Sequence, residues 1–245
     1  MIRLITRGDD AGSCESADLA LVECARAGIL KNVGVMVPGP SFDHAVAMLK
    51  DLDGIDLGLH VTLNAEWDTV KWGPVLPPGS VPSLVDGQGN FTPTPNHLQE
   101  RGIDPREAID EVKAQLEKAR KAGLEIHYLD EHMGVGWLGF RDGLARLCEQ
   151  EGLVDHARFR YLGGAATAEQ LLEKMSEAEP GTYVFVNHPG RDAEDMRRLV
   201  HAGLEPGQVA RERELDRRLW LDSALAAAVR EGRFEPIRYS DASTG

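Results

Sequence analysis

The chain has 245 residues, 42% hydrophobic and 27% charged, with 40 acidic against 27 basic side chains and a formal charge of −13. That length suits one α/β barrel-type domain or two small ones, able to bury a core without disulfides, and the composition excludes a disordered chain. The negative charge repels polyanions, so nucleic acid and anionic membrane are poor partners, while a neutral or cationic small molecule is readily accepted.

Short β-branched runs alternate with longer helical stretches. Ile2 to Thr6 reads as a strand, and the stripe Ala17, Ala20, Leu21, Cys24 and Gly28 marks a helix from about Ser16 to Ile29. Asn32 to Val37 is a second strand stopped by Pro38-Gly39-Pro40, and a short helix opens at Ser41 or Asp43 and runs through Leu49. Ile55 to His60 is a third strand. Residues 64–101 then break the rhythm, being rich in Pro and Gly and carrying Trp67, Trp72 and Phe91. An insertion of that length is either a surface excursion with local hairpins or a lid over a substrate.

Asp104-Pro105-Arg106-Glu107 opens a helix, with Asp104 as N-cap, Pro105 in the first turn and Glu107 as reciprocal cap. Ile109, Val112, Leu116 and Ala119 form its buried stripe and Gly123 stops it. Strands follow at Glu125 to Leu129, Phe159 to Tyr161, Thr182 to Asn187 and Phe234 to Arg238, with helices near 139–151, 167–178 and 209–231 between them. About seven βα units point to a parallel sheet in an irregular (β/α) barrel, with a long insertion after the third strand; an open doubly wound sheet is the alternative. Cys14, Cys24 and Cys148 are odd in number and lack CxxC spacing, which suits a reducing compartment. Asp9 and Asp10 fall where a secretory apolar region would continue, and no run approaches the ~18 apolar residues of a membrane span. A cytoplasmic location is expected.

Polar clusters close four of the strands: Arg7-Gly8-Asp9-Asp10-Ala11-Gly12, Gly58-Leu59-His60, His127-Tyr128-Leu129-Asp130-Glu131-His132, and Asn187-His188-Pro189-Gly190. Singly each has a bland reading, such as an anion pair before a helix or a structural histidine. In α/β barrels, however, the carboxyl ends of the strands form the catalytic face. Asp10, His60 and His132 would then offer one carboxylate and two imidazoles to one ion, leaving positions open for water and substrate. Zinc, Fe(II) and magnesium all tolerate such a set. Asp130 either orients a ligand histidine through its second nitrogen or caps a helix, and His127 either supports a ligand from behind or is a satisfied core histidine. His44, His97, His156 and His201 read as surface or cap residues. Arg213 and Asp216 either pair near the site or belong to an exposed helical charge cluster, Arg211 to Arg218, and the second reading is favoured.

Across nearly its whole length the chain resembles the YdjC/ChbG (HpnK-like) carbohydrate deacetylases. The resemblance rests on Asp9-Asp10-Ala11-Gly12, on Gly58-Leu59-His60 with Leu63, on His127 to His132 as His-x-x-Asp-x-His, and on His188-Pro189. It implies an irregular (β/α) barrel, a divalent metal cofactor (Mg or Zn) on Asp10, His60 and His132, Asp9 as base and His188 as general acid. The implied partner is a small carbohydrate, and the implied reaction is removal of an acetyl group from an amino-sugar nitrogen; a homodimer is compatible with all of this. Hydrolysis of another N-acyl compound, a non-haem iron oxygenase on the same ligand triad, and a metal- or sugar-binding protein without turnover are the rivals. The chain departs from the family in having Arg7-Gly8 before the aspartates, and Gly134 and Gly136 where further histidines are frequent. Substrate contacts in that last loop are therefore expected to differ.

Overall fold

In the computed structural model, which describes residues 1–242, strands and helices alternate along the chain. The amino-terminal half runs β1 (Ile2–Ala11), α1 (Glu15–Arg26), β2 (Asn32–Val35), α2 (Phe42–Leu49), β3 (Asp56–Val61), α3 (Pro95–Arg101), α4 (Pro105–Lys121) and β4 (Ile126–Glu131). It continues through α5 (Arg141–Glu151), β5 (Val154–Asp155), β6 (Arg160–Tyr161), α6 (Ala168–Glu177), β7 (Gly181–Asn187), α7 (Glu194–Arg197), α8 (Gln208–Trp220), α9 (Ser223–Arg230) and β8 (Phe234–Ile237).

Every strand pair is parallel, and the order β5-β4-β3-β2-β1-β7-β6 curls into an irregular (β/α) barrel, with β8 added beside β1. β1 is the spine. Its residues Ile2 to Gly8 pair with β7, and its opposite edge is shared: Ile2 to Ile5 pair with β8, and Arg7 to Ala11 with β2. The buried Asn32 side chain holds the fork between β8 and β2. Its amide donates to the carbonyls of Thr6 and Ile237, and its oxygen accepts from the Tyr239 N–H. This answers the accounting for backbone groups that a splitting ladder would leave unpaired.

Two cores follow from the alternation of side chains along a strand. A large one lies between the sheet and the surrounding helices, including Leu4, Leu21, Val33, Leu59 and Trp220. A small one, with Ile5, Tyr128, Val184, Ile237 and Tyr239, belongs to the opposite parity. That parity continues along β1 to Arg7 and Asp9, and along β4 to Asp130.

Several sequence expectations are corrected. β1 does not stop at Thr6 but carries both aspartates within it. The reason is a guanidinium beside Asp9, which makes burial of charge tolerable where the polarity pattern reads as loop. Asp104 caps α4 through the Arg106 N–H, but Glu107 does not reach back; it accepts from the Ser83 N–H and so ties the insertion to the helix. The run 209–231 is two helices, because Asp222 breaks it and caps α9 through the Ala224 N–H. A two-residue strand, β5, precedes the expected strand at 159–161, which is itself β6.

The 64–101 insertion is packed. Trp67, Trp72, Val81, Leu84, Val85, Phe91 and Leu98 are buried, and an isolated antiparallel bridge pairs Val85 with Phe91. The fully buried Glu111 of α4 accepts the N–H groups of Val75 and Leu76. Among the described residues, no helix is long and apolar enough to cross a membrane.

Candidate metal centre

The carboxyl ends of β1, β3 and β4 bring Asp10, His60 and His132 together, all buried. His60 Nε2 lies 3.4 Å and His132 Nδ1 3.3 Å from Asp10 Oδ1, and the two nitrogens are 3.2 Å apart. Donor atoms on one ion with bonds of about 2.0–2.2 Å sit roughly 3.0–3.5 Å from one another, so this trio is spaced to share a cation. Asp10 Oδ1 is buried without a hydrogen-bond partner, as an atom reserved for an ion would be. The residues present fit a divalent metal.

A local distortion makes this possible. Successive residues of a strand face opposite sides, so Asp9 and Asp10 should diverge. The β1–β2 register shifts between Gly8 and Ala11, and Asp10 adopts φ 74°, a left-handed conformation that is costly for a residue with a Cβ. Surrounding bonds hold the turn. Asp18 of α1, fully buried, accepts the Gly12 N–H at 2.6 Å and meets His44 Nδ1 of α2 at 2.8 Å. Met36 N–H donates to Ala11 and Ser41 N–H to Gly12. Gly12 itself has φ +95°, and a Cβ there would stand 2.6 Å from the Met36 carbonyl.

Each imidazole is braced from behind. His60 Nδ1 is 2.7 Å from Asp130 Oδ2, and His132 Nε2 is 3.1 and 3.2 Å from the two Glu66 oxygens. Burial works against protonation of His60, but Asp130, Asp9 and Asp10 outweigh it and hold its pKa well above the ordinary imidazole value. His132, likewise buried but facing Glu66 and Asp10, is raised to about 9. Asp10 lies well below the carboxylate range, because Arg213 and the two histidines overcome its desolvation. Arg213 Nη2 reaches Asp10 Oδ2 at 2.8 Å.

Asp9 is nearly inaccessible. Arg7 donates to its Oδ2 from Nε at 3.1 Å and Nη2 at 2.9 Å, and the same Nη2 is 3.1 Å from Asp130 Oδ2. Asp9 Oδ1 has no partner. Desolvation, aided by Asp130 and opposed by Arg7, raises its pKa. His188 follows β7 and lines the cavity wall with Asp10, Trp67 and Arg213. Its N–H donates to Asp216 Oδ2, a carboxyl raised by burial to about 6. His127 points elsewhere, toward Asp56 and Glu125.

The centre opens into a cavity of about 710 Å³ whose walls include Glu66, Trp67, His97, Met133, His201 and Arg213. Gly134 also lines it, and at Gly136, two residues on, a Cβ would fall 2.6 Å from the Glu131 carboxylate, which accepts the Gly136 N–H.

Arg7 and Glu66 escaped the sequence reading, and Arg213 and Asp216, assigned there to an exposed charge cluster, belong to the site instead. Arg213 and Asp216 had a signal, since 209, 213, 216 and 220 share one stripe of α8 with the buried Val209 and Trp220. Arg7 shares parity with the inward Ile5. Glu66 sits in irregular backbone and carried none.

Known proteins share sequence and fold with this chain. A carbohydrate deacetylase of Brevibacillus brevis is 33% identical over 134 residues, 55% of this chain and 50% of that one. The chain thus spans about half the length of such curated relatives in its match, although a carbohydrate deacetylase of Thermoanaerobacter pseudethanolicus is 23% identical over 260 residues, 97% of this chain and 98% of that one. A crystal structure from Enterococcus faecalis, described as a candidate cellobiose-phosphate cleavage protein, has the same fold, with a TM-score of 0.82 at 18% identity over 97% of both chains. The model of the YdjC-like protein family matches residues 3–160, well over half the sequence and all three prospective ligands, and the chain belongs to that family.

Proposed function

We propose that this chain is a metal-dependent deacetylase that removes the acetyl group from the nitrogen of an N-acetylated amino sugar or short oligosaccharide. The observation that carries the reading is the donor trio of Asp10, His60 and His132, mutually 3.2–3.4 Å apart, at the floor of a cavity large enough for a sugar. The relatives named carbohydrate deacetylases supply the substrate class.

Asp10, His60 and His132 would hold the ion, zinc or magnesium. When bound there, it supplies Lewis acidity toward an acyl carbonyl and toward water. Asp130 and Glu66 keep the two imidazoles in ligating orientation. Asp9, with Oδ2 anchored on Arg7, keeps Oδ1 to accept the proton of the attacking water. Burial, which raises its pKa, favours that transfer near neutrality. His188, at the end of the neighbouring strand β7 and held by its backbone bond to Asp216, delivers a proton to the departing amine. Trp67 and its neighbours in the insertion limit the access of bulk water.

Acetate release from a panel of mono-, di- and oligomeric N-acetyl sugars, in buffer with added zinc or magnesium, tests the reading. Release that a chelator abolishes and metal restores supports it. No release from any member, by a protein shown to carry its ion, contradicts it.

A further inference from the structure

A metal-ligating imidazole needs its second nitrogen engaged, because that contact fixes both tautomer and ring orientation. For His60 the partner is Asp130, a residue of barrel strand β4. For His132 it is Glu66, which belongs to the insertion. Glu66 is not among the groups close enough to share an ion with Asp10 and His60; it meets His132 from the rear, at Nε2, while Nδ1 faces the trio. Asn64 Nδ2 stands 3.3 Å from Glu66 Oε2 and helps hold the carboxylate in place.

The residues that follow Glu66 grip a separate part of the chain. The Trp67 indole stacks on the His201 ring, with centroids 5.8 Å apart and planes at 21°. Asp68 N–H donates to the Val200 carbonyl at 2.7 Å, and the Thr69 hydroxyl bonds the Arg198 carbonyl. Trp67, Asp68 and His201 all line the cavity. One short stretch therefore joins the back of a metal ligand to the clasp at the cavity wall.

We propose that Glu66 is a positioning residue for His132, and that the clasp of residues 67–69 on 198–201 holds it in place, so that loosening the wall weakens the metal centre. This rests on the reading of Asp10, His60 and His132 as metal ligands. It goes beyond a covering lid, which would affect substrate but not metal.

The test is zinc affinity, by competition with a chelating dye, of the full-length chain and its His60→Ala, Glu66→Ala, Glu66→Gln and His201→Ala variants, with the melting temperature of each ion-free form. Wild type should bind zinc and His60→Ala should not; failure here sinks the ligand reading itself. Given that control, Glu66→Ala should bind roughly 10–100-fold more weakly, the scale of losses when such rear partners are removed. Glu66→Gln, which retains size and an acceptor oxygen, should fall between, and keeps the question answerable if the alanine variant folds poorly. His201→Ala should also bind zinc more weakly, although it touches none of the ligands. Unchanged affinity in Glu66→Ala would overturn the positioning role, and unchanged affinity in His201→Ala would overturn the coupling.

Discussion

At the scale of single residues, two adjacent aspartates that look equivalent in sequence occupy opposite situations. Asp10 is strained, unpartnered at Oδ1 and paired to Arg213 at Oδ2; Asp9 is clamped by Arg7. Asp9→Asn should keep zinc affinity within a few-fold and lose turnover by roughly a hundredfold or more, the scale of general-base contributions. Asp10→Ala should weaken the metal instead, with activity partly recovered at high zinc. Measuring kcat and zinc affinity for both variants checks the assignment, and the reverse pattern would exchange the roles. The histidines add a pH signature. In the ion-free chain His132 holds its proton to about pH 9, and His60 beyond the ordinary imidazole range. A ligating imidazole must be neutral, so zinc displaces these protons and its affinity should rise steeply with pH between 6 and 9. Titration in buffers of different ionisation enthalpy should show net proton release at pH 7; uptake, or no linkage, would contradict the ligand set.

At the scale of elements, the alternation of strand and helix made the barrel legible, because apolar runs of the two periods are distinct in nearly every unit. What the pattern hid lies where charge is buried. β1 reads as ending at Thr6, since Arg7, Asp9 and Asp10 look like loop residues, yet Arg7 neutralises Asp9 and Asp130 and lets the strand continue. The fork of β1 was equally hidden, because nothing local marks Asn32 as the residue that holds it. Asn32→Ala removes three buried hydrogen bonds, those of the Ile237 carbonyl and the Tyr239 N–H among them, while the Thr6 carbonyl keeps the Lys31 N–H. Its expected cost is about 2–4 kcal/mol, read as a lower urea midpoint, whereas a shift under about 0.5 kcal/mol would show that the fork does not depend on it. Asp18 is the comparable support of the 10–13 turn. Its role also escaped the sequence, which shows an acid on the first helix but not the Gly12 N–H it accepts.

At the scale of the whole molecule, the centre draws on residues distant in the chain: Asp10, His60, Glu66, His132, His188 and Arg213 meet around one cavity. The four strand-end clusters anticipated most of that gathering. The insertion read as a surface excursion or a lid and α8 as an exposed charge cluster, and neither reading placed Glu66 or Arg213 at the centre, because irregular backbone has no period and a charged stripe resembles a solvated one. An ion that binds only the folded arrangement stabilises the fold by mass action, about 2.7 kcal/mol at a hundred times its dissociation constant. The melting temperature should therefore climb with added zinc and fall back with chelator, and a melting temperature indifferent to both would argue against an ion at this point. The account's central claim is that Asp10, His60 and His132 hold one divalent ion per chain. Elemental analysis of metal-loaded, desalted wild type beside His60→Ala tests it most directly. One equivalent in wild type and almost none in the variant is the predicted result; substoichiometric metal that His60→Ala leaves unchanged would contradict it.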